Sequence, residues 1–227
     1  MKYIAHRGLS SQAPENTIPA FELAAKEQRY FGIETDVQTT KDGKFVIFHD
    51  DDLKRMNGIT KDLKDMTFEE ASSYPIISGS NIKKYETLRI PLVSEYLDIC
   101  SYYEKTAIIE IKHVHDITQL TDLINLLEQY ASLSYIIISF NISYLKYLRA
   151  ITSADLQLLA DELDDEMIYD CRVNHLDFSL SKDFISPKWV NRLKSEGFKI
   201  ATWTVNDAKE ALKLESYGID YLTTDKL

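Results

Sequence analysis

Eight short runs rich in β-branched and aliphatic residues recur along the chain, and segments with helical periodicity separate most of them. This alternation predicts a largely parallel sheet covered by helices, because parallel neighbours need a long crossover between them. The predicted strands cover residues 2–6, 32–37, 107–112, 135–140, 156–161, 175–179, 199–205 and 219–224. Eight such units within 227 residues fit one α/β barrel of the TIM (β/α)8 type, so we expect residues 1–227 to form a single domain.

Three predicted helices have recognisable ends, marked by a polar residue at the start or a glycine at the finish. The expected limits are Asn16 or Thr17 before Pro19, then Ser186 to Gly197, then Asn206 to Gly218.

One further strand-like run, residues 44–49, follows the second strand across a turn at residues 41–43. That turn is too short for a parallel crossover, so the run is interpreted as the return arm of an antiparallel hairpin at the barrel mouth. The hairpin would bring His49 beside Glu34 and Asp36. Residues 50 to about 92 carry no strong barrel signal and are predicted to form a small insertion over the site.

The composition excludes several classes of protein. A net charge of -10 argues against a nucleic-acid partner, because neutralising phosphates takes clustered basic residues. Cys100 and Cys171 lie far apart and outside any metal-ligand spacing, which makes a disulfide framework improbable. No apolar run approaches 18 residues and no leader pattern precedes the first motif, so we expect a cytoplasmic protein without stable membrane insertion.

Three carboxylates are placed to converge at the barrel mouth. Glu34 and Asp36 are two residues apart and share one face of a strand, and Glu110 ends the next predicted barrel strand. Their mutual repulsion would be relieved by a hard divalent cation, and ligation by oxygen alone favours calcium or magnesium over zinc. The competing interpretation is that Glu34 and Asp36 lie on the solvated face of a half-buried strand.

His6 and His49 end the first strand and the hairpin arm, so they are expected to flank the same mouth. Two imidazoles on opposite sides of a phosphodiester can divide general base and general acid catalysis. Arg7 can form a forked pair with a phosphate, and Lys112 can stabilise developing charge on its oxygens. The competing interpretations are structural histidines and ordinary ion pairs. The other histidines are given no catalytic role: His113, His115 and His175.

The motifs in order resemble the glycerophosphodiester phosphodiesterase family over essentially the whole chain. The matching strings are His6-Arg7-Gly8, Pro14-Glu15-Asn16-Thr17, Glu34-Thr35-Asp36-Val37, Thr40-Lys41-Asp42-Gly43, His49-Asp50, Glu110-Ile111-Lys112, Ser139-Phe140, Trp203-Thr204-Val205-Asn206 and Thr224-Asp225. Each string by itself is weak evidence for the family, whereas the ordered combination of all of them is specific to it.

The resemblance implies a TIM-type barrel that hydrolyses glycerophosphodiesters, as small-molecule substrates, to glycerol 3-phosphate and an alcohol. It also implies a divalent cation, calcium or magnesium, with manganese as a third candidate. By resemblance, the metal ligands are Glu34, Asp36 and Glu110, the acid/base pair is His6 and His49, and Arg7, Lys112 and Trp203 contact phosphate or line the site.

Two departures from the family pattern stand out. Residues 55–60 read RMNGIT where the family usually has Arg-x-Thr-x-Gly-x-Gly, which bears on the shape of the insertion. The family continues into a proline and a helix where this sequence stops at Leu227. We therefore expect a truncated or missing last helix, and an exposed apolar groove left there would favour a homo-oligomer.

The mechanism predicted from these residues is attack by the substrate's own 2-hydroxyl, giving a cyclic phosphate that water then opens. Direct attack by water is the rival route. Two other functions use the same residues: cleavage of a phospholipid, as by a lysophospholipase D, and a catalytically silent barrel that acts as a binding module.

Overall fold

Nine strands form one sheet in the computed structural model, which describes all 227 residues. Eight of them are parallel and close into a barrel, because β1 pairs with β2 on one side and with β9 on the other. The strands are β1 (Lys2–Ala5), β2 (Tyr30–Thr39), β3 (Phe45–Ile47), β4 (Thr106–His113), β5 (Tyr135–Ser139), β6 (Asp155–Ala160), β7 (Asp177–Ser181), β8 (Ile200–Trp203) and β9 (Tyr221–Thr224). The predicted TIM-type barrel is confirmed.

Nine α-helices accompany the strands, and seven of them cover the barrel. The helices are α1 (Ile18–Lys26), α2 (Lys54–Asn57), α3 (Phe68–Ser73), α4 (Val93–Tyr102), α5 (Gln119–Leu127), α6 (Ile142–Ile151), α7 (Asp165–Val173), α8 (Pro187–Ser195) and α9 (Ala208–Ser216). The last element of the given sequence is β9, which is followed by residues 225–227. None of the helices is both long enough and apolar enough to span a membrane.

The alternating pleat of the strands divides their side chains between two cores. Ala5, Ile33 and Ile109 face outward into a cluster of 42 buried residues between barrel and helices. Ile4 and Ile108 face inward, into a smaller cluster of seven that fills the barrel. Because the same inward face continues toward the carboxyl ends of the strands, polar residues there meet at one mouth.

The hairpin after β2 has the predicted antiparallel pairing. Val37 lies opposite Ile47, and the Phe48 amide donates to the Asp36 carbonyl at 3.0 Å. The segment from the end of β3 to the start of α4 carries α2 and α3 and buries a cluster of nine apolar residues that includes Leu53 and Met56. This segment stands over the carboxyl end of β2.

Most predicted strand limits differ from the structure by one or two residues; for example, β8 ends at Trp203 rather than at residue 205, and β9 begins at Tyr221 rather than at residue 219. Two of the differences have a local cause. β7 begins at Asp177 rather than at residue 175, because His175 has φ 51°, a left-handed conformation that cannot begin a strand. α9 begins after Asp207, whose carboxylate accepts two of the first backbone amides, and Asn206 lies one residue outside it. Thr17 and Ser186 directly precede their helices, as expected.

Candidate active site

The three predicted metal ligands come together inside the barrel mouth. Asp36 lies opposite Glu110 in the pairing of β2 with β4, and Glu34 precedes Asp36 on the same inward face. One oxygen from each of the three carboxylates lies within 4.8 Å of the others. Glu34 and Asp36 are buried, with 2% and 0% of their surface exposed.

The buried carboxylates fit a cation because two of their oxygens accept no hydrogen bond. Glu34 Oε2 accepts the Arg7 amide at 2.9 Å, and Asp36 Oδ2 accepts Asn16 Nδ2 at 2.7 Å. Glu34 Oε1 and Asp36 Oδ1 are buried without a hydrogen bond. Buried polar atoms are rarely left unpaired, so these two oxygens indicate a ligand.

The electrostatics of the cluster support the same conclusion. Burial, together with the charges of Asp36 and Glu110, raises the pKa of Glu34 to about 8. Burial and the charge of Asp36 also raise the pKa of Glu110. The protein alone therefore disfavours full ionisation of the cluster, and a divalent cation would restore it. Ligands that are all oxygen suit calcium or magnesium.

Two basic side chains border the carboxylates. Arg7 Nη1 donates to Glu15 at 2.8 Å, while its Nε lies 3.1 Å from Asp36 Oδ2 but is misaligned for a hydrogen bond. Lys112 Nζ lies 2.9 Å from Glu110 Oε1. Burial lowers the pKa of Lys112, but the charges of Glu110 and Asp36 outweigh it and the net shift is upward. Lys112 is therefore charged, and both basic side chains lie on the wall of the cavity beside the carboxylates.

His6 is held by a carboxylate from the other end of the chain. Its Nδ1 lies 2.7 Å from Asp225 Oδ1, and its Nε2 lies 4.0 Å from Glu34 Oε2. Asp225 is itself fixed by Ser10 and Asn206. Burial lowers the pKa of His6, but the bond to Asp225 and the charge of Glu34 raise it above its usual value. Against the opposing effect of burial, the hydrogen bond from His6 lowers the pKa of Asp225 to about 2.

His49 has the same arrangement on the opposite side. Its Nδ1 lies 2.7 Å from Asp50 Oδ1, and its Nε2 lies 3.4 Å from Lys112 Nζ. The buried Gln38 amide donates to the carbonyls of Phe48 and Asp50, which fixes the backbone on either side of His49. In both histidines the Nδ1 proton is donated in a hydrogen bond to the carboxylate, and Nε2 is left facing the cavity.

These side chains line one cavity of about 240 Å³. Seven of the eight predicted site residues lie on its wall, and Asp36 lies just beneath it. The far wall is apolar: Trp203 and Phe140 meet edge to face at 5.7 Å, and Trp203 Nε1 donates to the Ser179 carbonyl. The cavity thus has a charged side suited to a phosphate and an apolar side formed largely by aromatic rings.

Sequence reasoning gave no role to the side chains that hold the site together. Asp50 and Asp225 orient the histidines, and Glu15 and Asn16 orient Arg7 and Asp36. Each of these residues lies in one of the motifs, but the sequence does not show which side chain it contacts. The contact between His6 and Asp225 spans 219 positions, and no local pattern reports it.

Fold and site together define the class of this protein: a TIM barrel whose mouth carries a carboxylate cluster, two anchored histidines and two basic side chains, the groups that hydrolysis of a phosphoric ester requires. The sequence model of the glycerophosphoryl diester phosphodiesterase family matches residues 6–227. The chain belongs to this family, which confirms the resemblance, and it is a phosphoric diester hydrolase.

Individual relatives agree with this assignment. A glycerophosphodiester phosphodiesterase of Caldanaerobacter subterraneus is 31% identical over 98% of this chain and 93% of its own. A phosphodiesterase of Oleispira antarctica, solved in complex with the product sn-glycerol-3-phosphate, superposes with a TM-score of 0.92 at 27% identity, over 99% of this chain and 93% of that one. The structure of the Thermotoga maritima glycerophosphodiester phosphodiesterase superposes with a TM-score of 0.77 at 26% identity, over 99% of this chain and 94% of that one.

Proposed function

We propose that this protein hydrolyses glycerophosphodiesters to glycerol 3-phosphate and an alcohol, with a divalent cation and two histidines as acid and base. The observation that carries the proposal is the pair of imidazoles, each anchored at Nδ1 by an aspartate and each presenting Nε2 to the cavity that the carboxylates line. The complex of the Oleispira protein with sn-glycerol-3-phosphate supports the identity of the product.

Glu34, Asp36 and Glu110 would hold the cation, calcium or magnesium with manganese as a third candidate. When bound, it neutralises the carboxylates, polarises the phosphate and makes a nearby hydroxyl more acidic. Arg7 and Lys112 now pair with carboxylates, and a phosphate between them would accept some of their hydrogen bonds.

One histidine accepts the proton of the substrate's 2-hydroxyl while that oxygen forms a bond to phosphorus. The bond from phosphorus to the leaving oxygen breaks, and the other histidine donates its Nε2 proton to that oxygen. The product is a cyclic phosphate, because the attacking oxygen is already held near phosphorus by the glycerol chain. Water opens the ring in a second step, in which the two imidazoles exchange roles.

The apolar wall supports this chemistry by excluding bulk water. Trp203 is half-buried and fixed by its bond to the Ser179 carbonyl, so it offers a rigid surface beside the histidines. A low dielectric constant there strengthens the attraction between the phosphate and the basic side chains.

The experiment is release of glycerol 3-phosphate from glycerophosphodiesters with different alcohols, in EDTA and with calcium, magnesium or manganese. We expect release that depends on the metal and is lost in His49→Ala. Absence of release under every condition would overturn the proposal, and cleavage of lysophospholipids under the same conditions would replace it with a lipid substrate. Full activity on a 2-deoxy analogue would contradict the cyclic route alone.

A further inference from the structure

Arg55 lies between two carboxylates at the edge of the active site. It sits in α2, within the segment over the barrel mouth, and its side chain is 46% exposed. Its Nε and Nη2 donate to Asp50 at 2.7 and 3.0 Å, and its Nη2 and Nη1 donate to Glu15 at 2.7 and 3.0 Å. A planar guanidinium that makes four such bonds fixes both carboxylates in orientation.

The first of these carboxylates is the one that holds His49. Asp50 Oδ1 accepts two hydrogen bonds, one from His49 Nδ1 and one from Arg55 Nη2. Asp50 belongs to the loop after β3, and its carboxylate accepts three hydrogen bonds, one from His49 and two from Arg55. Among those bonds, the two from Arg55 set the plane of the carboxylate.

The second carboxylate provides a fixed support. Glu15 Oε1 also accepts Arg7 Nη1 at 2.8 Å, and Arg7 belongs to the turn that follows β1. Glu15 is thus tied to the barrel, and Arg55 connects this point to the loop that carries His49. A continuous series of ion pairs and hydrogen bonds therefore runs from the barrel to the imidazole of His49.

We propose that Arg55 is a positioning residue for the reaction, which acts through Asp50 to keep His49 Nε2 directed at the substrate. This inference rests on the proposed catalytic role of His49. The segment over the barrel mouth thereby completes the acid/base pair rather than only covering it. His6 needs no such aid, because Ser10 and Asn206 hold its aspartate.

The test compares Arg55→Gln with Arg89→Gln. Arg89 is a matched control: it is 47% exposed, lies in the same segment, and forks onto Glu95 at 3.0 and 2.7 Å without touching the site. We expect kcat of Arg55→Gln to fall about 10- to 100-fold with little change in KM. Arg55→Lys should recover only part of this loss, and Arg89→Gln should match the wild type.

A second arm separates action through Asp50 from a general structural effect. In an Asp50→Asn background, Arg55→Gln should lower kcat by less than about 3-fold, because the contact from Arg55 through Asp50 to His49 is already broken. A loss of the same size in both backgrounds would overturn the proposal. Both exposed pairs contribute little stability, so the melting temperatures of the two single variants should agree within about 4 °C.

A third arm does not depend on activity. The His49 Nδ1 proton is expected as a downfield NMR resonance that Arg55→Gln broadens or removes and Arg89→Gln retains. If the wild type lacks phosphodiesterase activity but this resonance responds as expected, the proposed function fails and the positioning stands. If activity is present and both kcat and the resonance survive Arg55→Gln, the positioning role is wrong.

Discussion

Replacement of Glu34 by glutamine should stabilise the cation-free protein at neutral pH. The folded-state pKa of Glu34 is about 8, against 4.5 for an exposed glutamate, because the side chain is buried beside other carboxylates. The folded state therefore holds a proton that the unfolded state has released between these values. The contribution of Glu34 to stability is fully present below pH 4.5 and is lost as pH rises toward 8.

The magnitude follows from the same difference. At pH 7 the pH is about 2.5 units above the pKa of Glu34 in the unfolded state. At 1.36 kcal/mol per unit, the buried carboxyl lowers the free energy of unfolding by about 3 kcal/mol at this pH. Glutamine avoids this cost and still offers an oxygen to the Arg7 amide. For a chain of 227 residues, about 3 kcal/mol corresponds to a rise in melting temperature of about 6–12 °C.

The assay is thermal unfolding from pH 4.5 to pH 8, in EDTA and with calcium or magnesium. In EDTA the advantage of Glu34→Gln should grow with pH. With the cation at 100 times its Kd the wild type should gain about 2.7 kcal/mol, and the variant should gain little. Glu22→Gln, on the exposed side of α1, is the control and should change stability by less than about 0.5 kcal/mol.

Two results would refute this reasoning. One is a variant no more stable than the wild type in EDTA at pH 7, which would mean that the buried carboxylates do not strain the fold. The other is an equal stabilisation of both proteins by the cation, which would mean that Glu34 is not a ligand.

Other predictions follow from single contacts. Asp225→Asn should lower kcat, because His6 loses the carboxylate that holds its Nδ1. It should also lower the free energy of unfolding above pH 3.8, and this difference should disappear as the pH falls toward 2. Unfolding measured at several pH values tests this. Gly8→Ala should cost about 2–5 kcal/mol in urea unfolding, because Gly8 has φ 77° and a new Cβ would lie 2.6 Å from the backbone of α1. Tyr96→Phe should cost about 1 kcal/mol in the same assay, because its buried hydroxyl donates to a β2 carbonyl at 2.6 Å.

Sequence patterns predicted the barrel well because its physical causes are local. Alternating apolar residues report the pleat of each strand, and the two-residue spacing of Glu34 and Asp36 places both on the inward face. Sequence patterns do not report the start of a strand or helix where a single residue sets it. His175 adopts a left-handed conformation that shifts the start of β7, and Asp207 rather than Asn206 caps α9. Neither choice shows in the periodicity: neighbouring polar residues can serve equally well as helix caps, and a left-handed backbone at one residue leaves the apolar pattern unchanged.

The sequence by itself determined the eight strands, the acidic and histidine motifs at their ends, and the family. Tertiary structure alone decided how those residues are held and charged. Asp225 reaches His6 across 219 positions, and Arg55, which also holds Asp50, reaches Glu15 across 40 positions. The pKa of Glu34 depends on burial and on Glu110 from a different strand. Such effects depend on distance and dielectric environment in three dimensions, and barrel closure is what brings these groups together.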